Sequence, residues 1–194
     1  MKLQRDLKEF IELLISSGVD FIIIGGHAVA FHGHPRFTGD IDFLVRSTPE
    51  NAERIIATLK VFGFGEVGLS FQDFTRPGSV VQLGRPPNRI DLLTSISGVD
   101  FEEAWEGRVA GEIDGLAVFF LGLDALLKNK QASGRSAARR ELPGREPFKN
   151  RREMLPELLE RASRGISALA RRGKEVRCAR SVLLHAATLI EQKR

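Results

Sequence analysis

Leu3, Leu7, Phe10, Ile11 and Leu14 recur at three- and four-residue intervals. That spacing lines one face of an α-helix, and Gly18 suits the position just past its end. The pattern then shortens. Phe21-Ile22-Ile23-Ile24 is an unbroken apolar run closed by Gly25-Gly26, which predicts a buried strand. His27–Phe31 predicts a short helix starting at the glycines, and Ile41–Val45 a second strand. Thr48-Pro49 supplies a cap and a first helical residue. Ile55, Ile56, Leu59 and Phe62 then form one face of a helix ending near Gly63. Ser79–Leu83 and Arg89–Leu93 predict two strands, and the glycine, prolines and asparagine of Gly84–Asn88 between them predict a hairpin. Asp100–Trp105 predicts a short helix, Leu116–Phe120 a strand and Leu123–Gln131 a helix. Helices and strands in this order predict an α/β (α+β) domain, a mixed sheet flanked by helices.

The character changes after Arg135. Pro143, Gly144 and Pro147 mark a linker, and Leu155, Leu158, Leu159, Ala162, Ile166 and Leu169 predict an amphipathic helix over 153–171. Val176, Ala179, Leu183, Ala186, Ala187 and Ile190 form a second apolar stripe. Charge divides at the same place. Residues 1–134 hold 13 Lys+Arg against 18 Asp+Glu, whereas residues 135–194 hold 16 against 7, so the net charge of +4 conceals an acidic body and a basic extension. The expected division is therefore a domain at 1–135 and a basic helical extension at 136–194. The extension raises the question of a polyanion partner, but no aromatic residue is interleaved among its arginines as a base-stacking platform requires. No apolar run reaches the length of a membrane span and the N-terminus lacks a signal-peptide pattern. Cys178 is the single cysteine. A cytoplasmic protein without membrane partners is expected.

Candidate chemistry sits where apolar strands are interrupted. Gly25-Gly26 is followed by a 13-residue spacer and Asp40-Ile41-Asp42-Phe43. Two glycines after a strand let the backbone approach a ligand, and a helix N-terminus offers N–H groups to phosphate. Aspartates two apart on a strand point to one face, so Asp40 and Asp42 can share a site. Two like charges that close call for a cation, and hard oxygen ligands favour Mg²⁺ or Mn²⁺. Asp91 is a third carboxylate, inside the otherwise apolar run Ile90–Leu93. If its strand lies beside Ile41–Val45, three carboxylates converge, enough for two metals.

This combination resembles the signature of the DNA polymerase beta-type nucleotidyltransferase superfamily. The segments Gly26–Gly33, Arg36–Asp42 and Lys128–Arg135 are similar to stand-alone bacterial proteins of the AbiEii/AbiGii toxin-like type. The resemblance spans about residues 5–135 and implies the nucleotidyltransferase fold. It implies transfer of a nucleoside monophosphate from a nucleoside triphosphate to an acceptor hydroxyl on tRNA, a protein or a small molecule, and a cognate toxin or antitoxin as a possible partner. By position it makes Asp40, Asp42 and Asp91 catalytic metal ligands, Gly25 and Gly26 the triphosphate seat, and Arg36, Lys128 and Lys130 nucleotide contacts. The family continues past Ser-Gly-Arg with a Lys-Asp-x-x-Asp helix, whereas this chain reads Ser136-Ala137-Ala138-Arg139-Arg140.

Plainer readings stand beside these. Asp40 and Asp42 could be a solvated strand end, Asp91 a buried carboxylate paired with Arg36 or Arg89, and Arg36 a salt-bridge partner of the aspartates. Gly25-Gly26 could be a tight turn without a ligand. His27, His32 and His34 match no zinc spacing, and His27 and His32 read as packing residues. Two rival functions follow: a non-catalytic partner in a toxin–antitoxin system, and an RNA-binding protein led by the basic extension.

Overall fold

The computed structural model describes residues 3–34, 38–85 and 88–134. The basic extension, its two expected helices, and Arg36 lie outside the described residues. Among those described, six strands and six α-helices alternate as an α+β domain. Helix α1 (Arg5–Ser16) buries Leu7, Phe10, Ile11 and Leu14, the stripe expected from the periodicity. It ends where Gly18 takes a left-handed φ of 69°. The N–H groups of Gly18 and Val19 return there to the carbonyls of Ile15 and Leu14, satisfying helix-end acceptors that lack intrahelical partners.

Strand β1 (Phe21–Ile23) is buried throughout and runs directly into α2 (Gly25–Phe31). Strand β2 (Ile41–Val45) follows, then α3 (Pro49–Leu59), whose cap Thr48 accepts a hydrogen bond from the Asn51 N–H. A π turn over Lys60–Phe64 and the short α4 (Gln72–Thr75) lead to β3 (Val80–Leu83) and β4 (Ile90–Leu93). The chain ends its described course with α5 (Phe101–Glu106), β5 (Val109–Ile113), β6 (Leu116–Phe120) and α6 (Leu123–Ala132).

The sheet order is β3-β4-β2-β1-β6-β5. Strands β2 and β4 are parallel, as are β1 and β6, while β1–β2, β3–β4 and β5–β6 are antiparallel. The sheet is therefore mixed, and the starts of β2 and β4 lie at the same end as the exit of β1. Phe43 in β2 meets Phe10 of α1 and Phe21 of β1 edge-on, at 5.9 and 5.5 Å between ring centroids. Alternation along β2 turns Asp42 to the face opposite Phe43.

The period reading left out β5 and α4. Strand β5 pairs with β6 through Asp114-Gly115, with φ of 48° and 84°. Two left-handed residues between paired strands suit the Asp-Gly type I′ hairpin.

Asn51 ties α3 to the strands beneath it. Its side chain is 1% exposed. It accepts from the Asp20 N–H at 2.8 Å and donates to the carbonyls of Asp20 and Arg46 at 3.1 and 2.9 Å. Asn51→Ala leaves the Asp20 N–H and the Arg46 carbonyl without these partners, while the Asp20 carbonyl keeps the Arg46 N–H at 3.1 Å, so the unfolding free energy should fall by about 2 kcal/mol, the scale for buried groups left unpaired. Urea unfolding measures this.

Candidate functional site

The exit of β1 is fixed against β2 one residue beyond the strand, because the Ile24 N–H donates to the Asp42 carbonyl at 3.0 Å. Gly25 follows at φ 62°, a left-handed conformation that favours glycine. Space demands glycine as well: a Cβ there would lie 1.9 Å from Asp42 Oδ2. The Gly26 N–H hydrogen-bonds the Asp42 carboxylate. Asp42 therefore closes the first turn of α2 from a neighbouring strand, where α2 has no capping side chain of its own. The glycine turn does bring backbone close to a polar group, but that group is Asp42, and the Gly26 N–H is already engaged.

Asp42 and Asp91 are register partners on the parallel pair β2–β4, so both side chains project from the same face. Asp91 is 6% exposed. Gln82, its partner on β3, donates to Asp91 Oδ2 at 3.4 Å from that face. Arg89 stands two residues before Asp91. Its Nε and one terminal nitrogen donate to Asp91 Oδ1 and Oδ2 at 2.8 and 3.1 Å. The same terminal nitrogen, Nη2, lies 2.9 Å from Asp40 Oδ2. One guanidinium thus spans two of the three carboxylates.

Asp42 is the carboxylate outside that clamp, and makes no ion pair among the described residues. Burial pushes its carboxyl above the ordinary range, and the charges of Asp91 and Asp40 push it further. The Gly26 N–H and the more distant Arg89 pull the other way. The Arg89 guanidinium is held above its ordinary value, foremost by the hydrogen bond to Asp91. Among the described residues, three hard-oxygen groups with one monovalent partner leave net negative charge at this end of the sheet, which suits a cation chemically. With the side chains as they stand, among the described residues no three His, Cys, Asp or Glu side chains are grouped to hold a metal ion. The physical reason is that Asp40 and Asp91 turn their oxygens to Arg89.

Asp40 is held by residues whose role the sequence reading did not assign. Its carbonyl accepts from Thr38 Oγ1 at 3.0 Å, and its backbone hydrogen-bonds the ring of His27. His27 is 4% exposed. Burial lowers its pKa, which favours the neutral imidazole. Thr38 also sits over the turn, with side-chain atoms 3.1 Å from where a Gly26 Cβ would be. The signal for Arg89 was present in the sequence, since Arg89 and Asp91 have the same two-residue spacing that unites Asp40 and Asp42.

Lys128 and Lys130 are on α6. Lys128 Nζ bonds both carboxylate oxygens of Glu103 on α5, at 2.9 and 2.7 Å. The neighbouring Asn129 reaches the Ser97 carbonyl at 3.0 Å, beyond the end of β4. These contacts tie that part of α6 to α5 and the segment after β4, whereas Asp91 lies near the start of β4. Lys130 engages another group of the protein.

Comparison with known proteins returns little. No family model matches the chain, and no curated protein matches it. A crystal structure from Thermotoga maritima, described as a "putative nucleotidyltransferase", is similar at 17% identity and a TM-score of 0.49, over 70% of this chain and 87% of that one. No helix among the described residues is long and apolar enough to cross a membrane.

Proposed function

We propose that this protein is a divalent-metal-dependent nucleotidyltransferase that moves a nucleoside monophosphate from a nucleoside triphosphate to an acceptor hydroxyl, releasing pyrophosphate. The observation that carries the reading is the in-register pair Asp42–Asp91, joined by Asp40 at the end of the sheet where Gly25 and Gly26 turn the chain. Asp40, Asp42 and Asp91 are the residues that would hold Mg²⁺ or Mn²⁺. When bound, the ion would neutralise both the carboxylates and the triphosphate, whose like charges otherwise repel. Asp91, buried and beside Asp42 in register, is the proposed acceptor of the hydroxyl proton. His27 and Thr38 hold the Asp40 backbone in place. Gly25 and Gly26 keep side-chain bulk away from the phosphates. Arg36, Lys128 and Lys130 are the proposed nucleotide contacts, and Lys128 would have to leave Glu103 to serve as one. Candidate acceptors are tRNA, a protein side chain and a small molecule, in a toxin–antitoxin setting.

Calorimetry with ATP, GTP, CTP and UTP tests the binding step. Heat that appears with Mg²⁺ or Mn²⁺, disappears with EDTA and is lost in Asp42→Ala is the expected result. No metal-dependent heat with any of the four rejects the reading. Incubation with labelled nucleotide and lysate then identifies the acceptor.

A second reading is favoured by Arg89. Asp40 and Asp91 already form ion pairs, as in a fold retained as a non-catalytic surface for a partner protein. Absence of nucleotide binding together with a stable complex with a neighbouring gene's product would select it.

A further inference from the structure

We infer that Arg89 is a resident counter-ion of the carboxylate cluster, a latch that competes with the divalent cation for Asp40 and Asp91. The inference rests on the metal-site reading above.

The guanidinium contacts both oxygens of Asp91 at 2.8 and 3.1 Å and reaches Asp40 at 2.9 Å, with Gln82 on Asp91 Oδ2 as well. A divalent cation at the same carboxylates would meet the like charge of the guanidinium at close range, so each weakens the hold of the other. Asp91 is buried, so in the absence of any cation its charge would be costly. The fork of an arginine meets that need bidentately. The latch is also free to open. The Arg89 side chain is 31% exposed, so water lies within its reach. Its backbone stays fixed, because the Arg89 carbonyl accepts from the Ile41 N–H at 2.9 Å across the β2–β4 pair. Release therefore needs only a change of side-chain rotamer, with both strands in place.

Two properties follow. The apparent affinity for metal is the intrinsic affinity reduced by the latched fraction. A triphosphate offers the released guanidinium another anionic partner, so nucleotide and metal should each strengthen the other's binding through Arg89.

The test titrates Mn²⁺ alone into the full chain, comparing wild type with Arg89→Gln and Arg89→Lys. The expected result is about tenfold tighter Mn²⁺ binding by Arg89→Gln, the gain when a mostly occupied latch is removed. Arg89→Lys, which keeps the charge but lacks the fork, should fall between. Without metal, Arg89→Gln should melt at a lower temperature than wild type, and Mn²⁺ should restore it. If Arg89→Gln is too unstable to titrate, tighter binding by Arg89→Lys supports the latch and unchanged binding rejects it. Equal or weaker Mn²⁺ binding by Arg89→Gln, with wild type binding normally, overturns the latch and leaves the metal site standing. No Mn²⁺ binding by any of the three overturns both.

Discussion

Gly25→Ala should lower the unfolding free energy by about 3 kcal/mol, and about half of that loss should depend on Asp42. Two costs combine at this position. A left-handed φ of 62° costs an L-residue about 1–2 kcal/mol. A Cβ at 1.9 Å from Asp42 Oδ2 and 2.7 Å from its Cγ forces the carboxylate or the turn to shift, typically another 1–3 kcal/mol. Asp42→Ala removes both colliding atoms and leaves the φ cost untouched. In that background Gly25→Ala should therefore cost only about 1–2 kcal/mol. A double-mutant cycle by urea unfolding reads the difference directly. Equal costs in the two backgrounds would show that the turn and Asp42 are not in contact. In wild type, displacement of Asp42 should also eliminate metal-dependent nucleotide binding under the proposed function.

The turn shows why part of this protein could be read from its sequence and part could not. Periodicity identified α1, β1, β2, α3, the β3–β4 hairpin, β6 and α6, because each presents an apolar face to the sheet and burial enforces that face. Strand β5 escaped because its residues Val109-Ala110-Gly111-Glu112-Ile113 sit at the sheet edge, where pairing with β6 replaces apolar bulk. Gly111 is itself a packing requirement, since a Cβ there would meet Phe31 at 2.5 Å. At the candidate site, strand alternation brought Asp40, Asp42 and Asp91 to attention, and the parallel register of β2 and β4 places Asp42 beside Asp91. Side-chain orientation was a different matter. Spacing offers Arg89 as a partner of Asp91, but it does not say that the same guanidinium also reaches Asp40, or that a buried His27 lies at the backbone of Asp40. Those outcomes depend on which charges must be neutralised once the strands are paired.

Asp42→Asn should separate stability from function most cleanly, because among the described residues Asp42 is the carboxylate of the three without an ion-pair partner. Burial and the charges of Asp91 and Asp40 raise its pKa. The folded state therefore keeps its proton to higher pH than the unfolded chain, whose aspartates titrate near about 3.9. Stability from this group is highest below that value. It falls as pH rises towards the raised folded value, and the penalty is complete above it. This is opposite in sign to a salt-bridged aspartate. An asparagine keeps an oxygen to accept the Gly26 N–H and carries no charge. At neutral pH it should stabilise the metal-free protein by about 1 kcal/mol, in the range of single charge corrections, or about 3–5 °C in Tm for a domain of this size. The variant should also lose this group's fall in stability across the acid range. Divalent ions should act in the reverse direction. Mn²⁺ at a hundred times its Kd should stabilise wild type by about 2.7 kcal/mol, and the asparagine variant hardly at all, with affinity down about 100-fold. That loss is at the upper end of what outer-shell partners alone contribute. Thermal melts of both proteins from pH 4 to 8, with EDTA or with Mn²⁺, measure every part of this. A variant less stable than wild type in EDTA at pH 7 would mean that Asp42 serves the fold as an ionised cap of α2. An equal Mn²⁺ shift in both proteins would remove Asp42 from the proposed metal site.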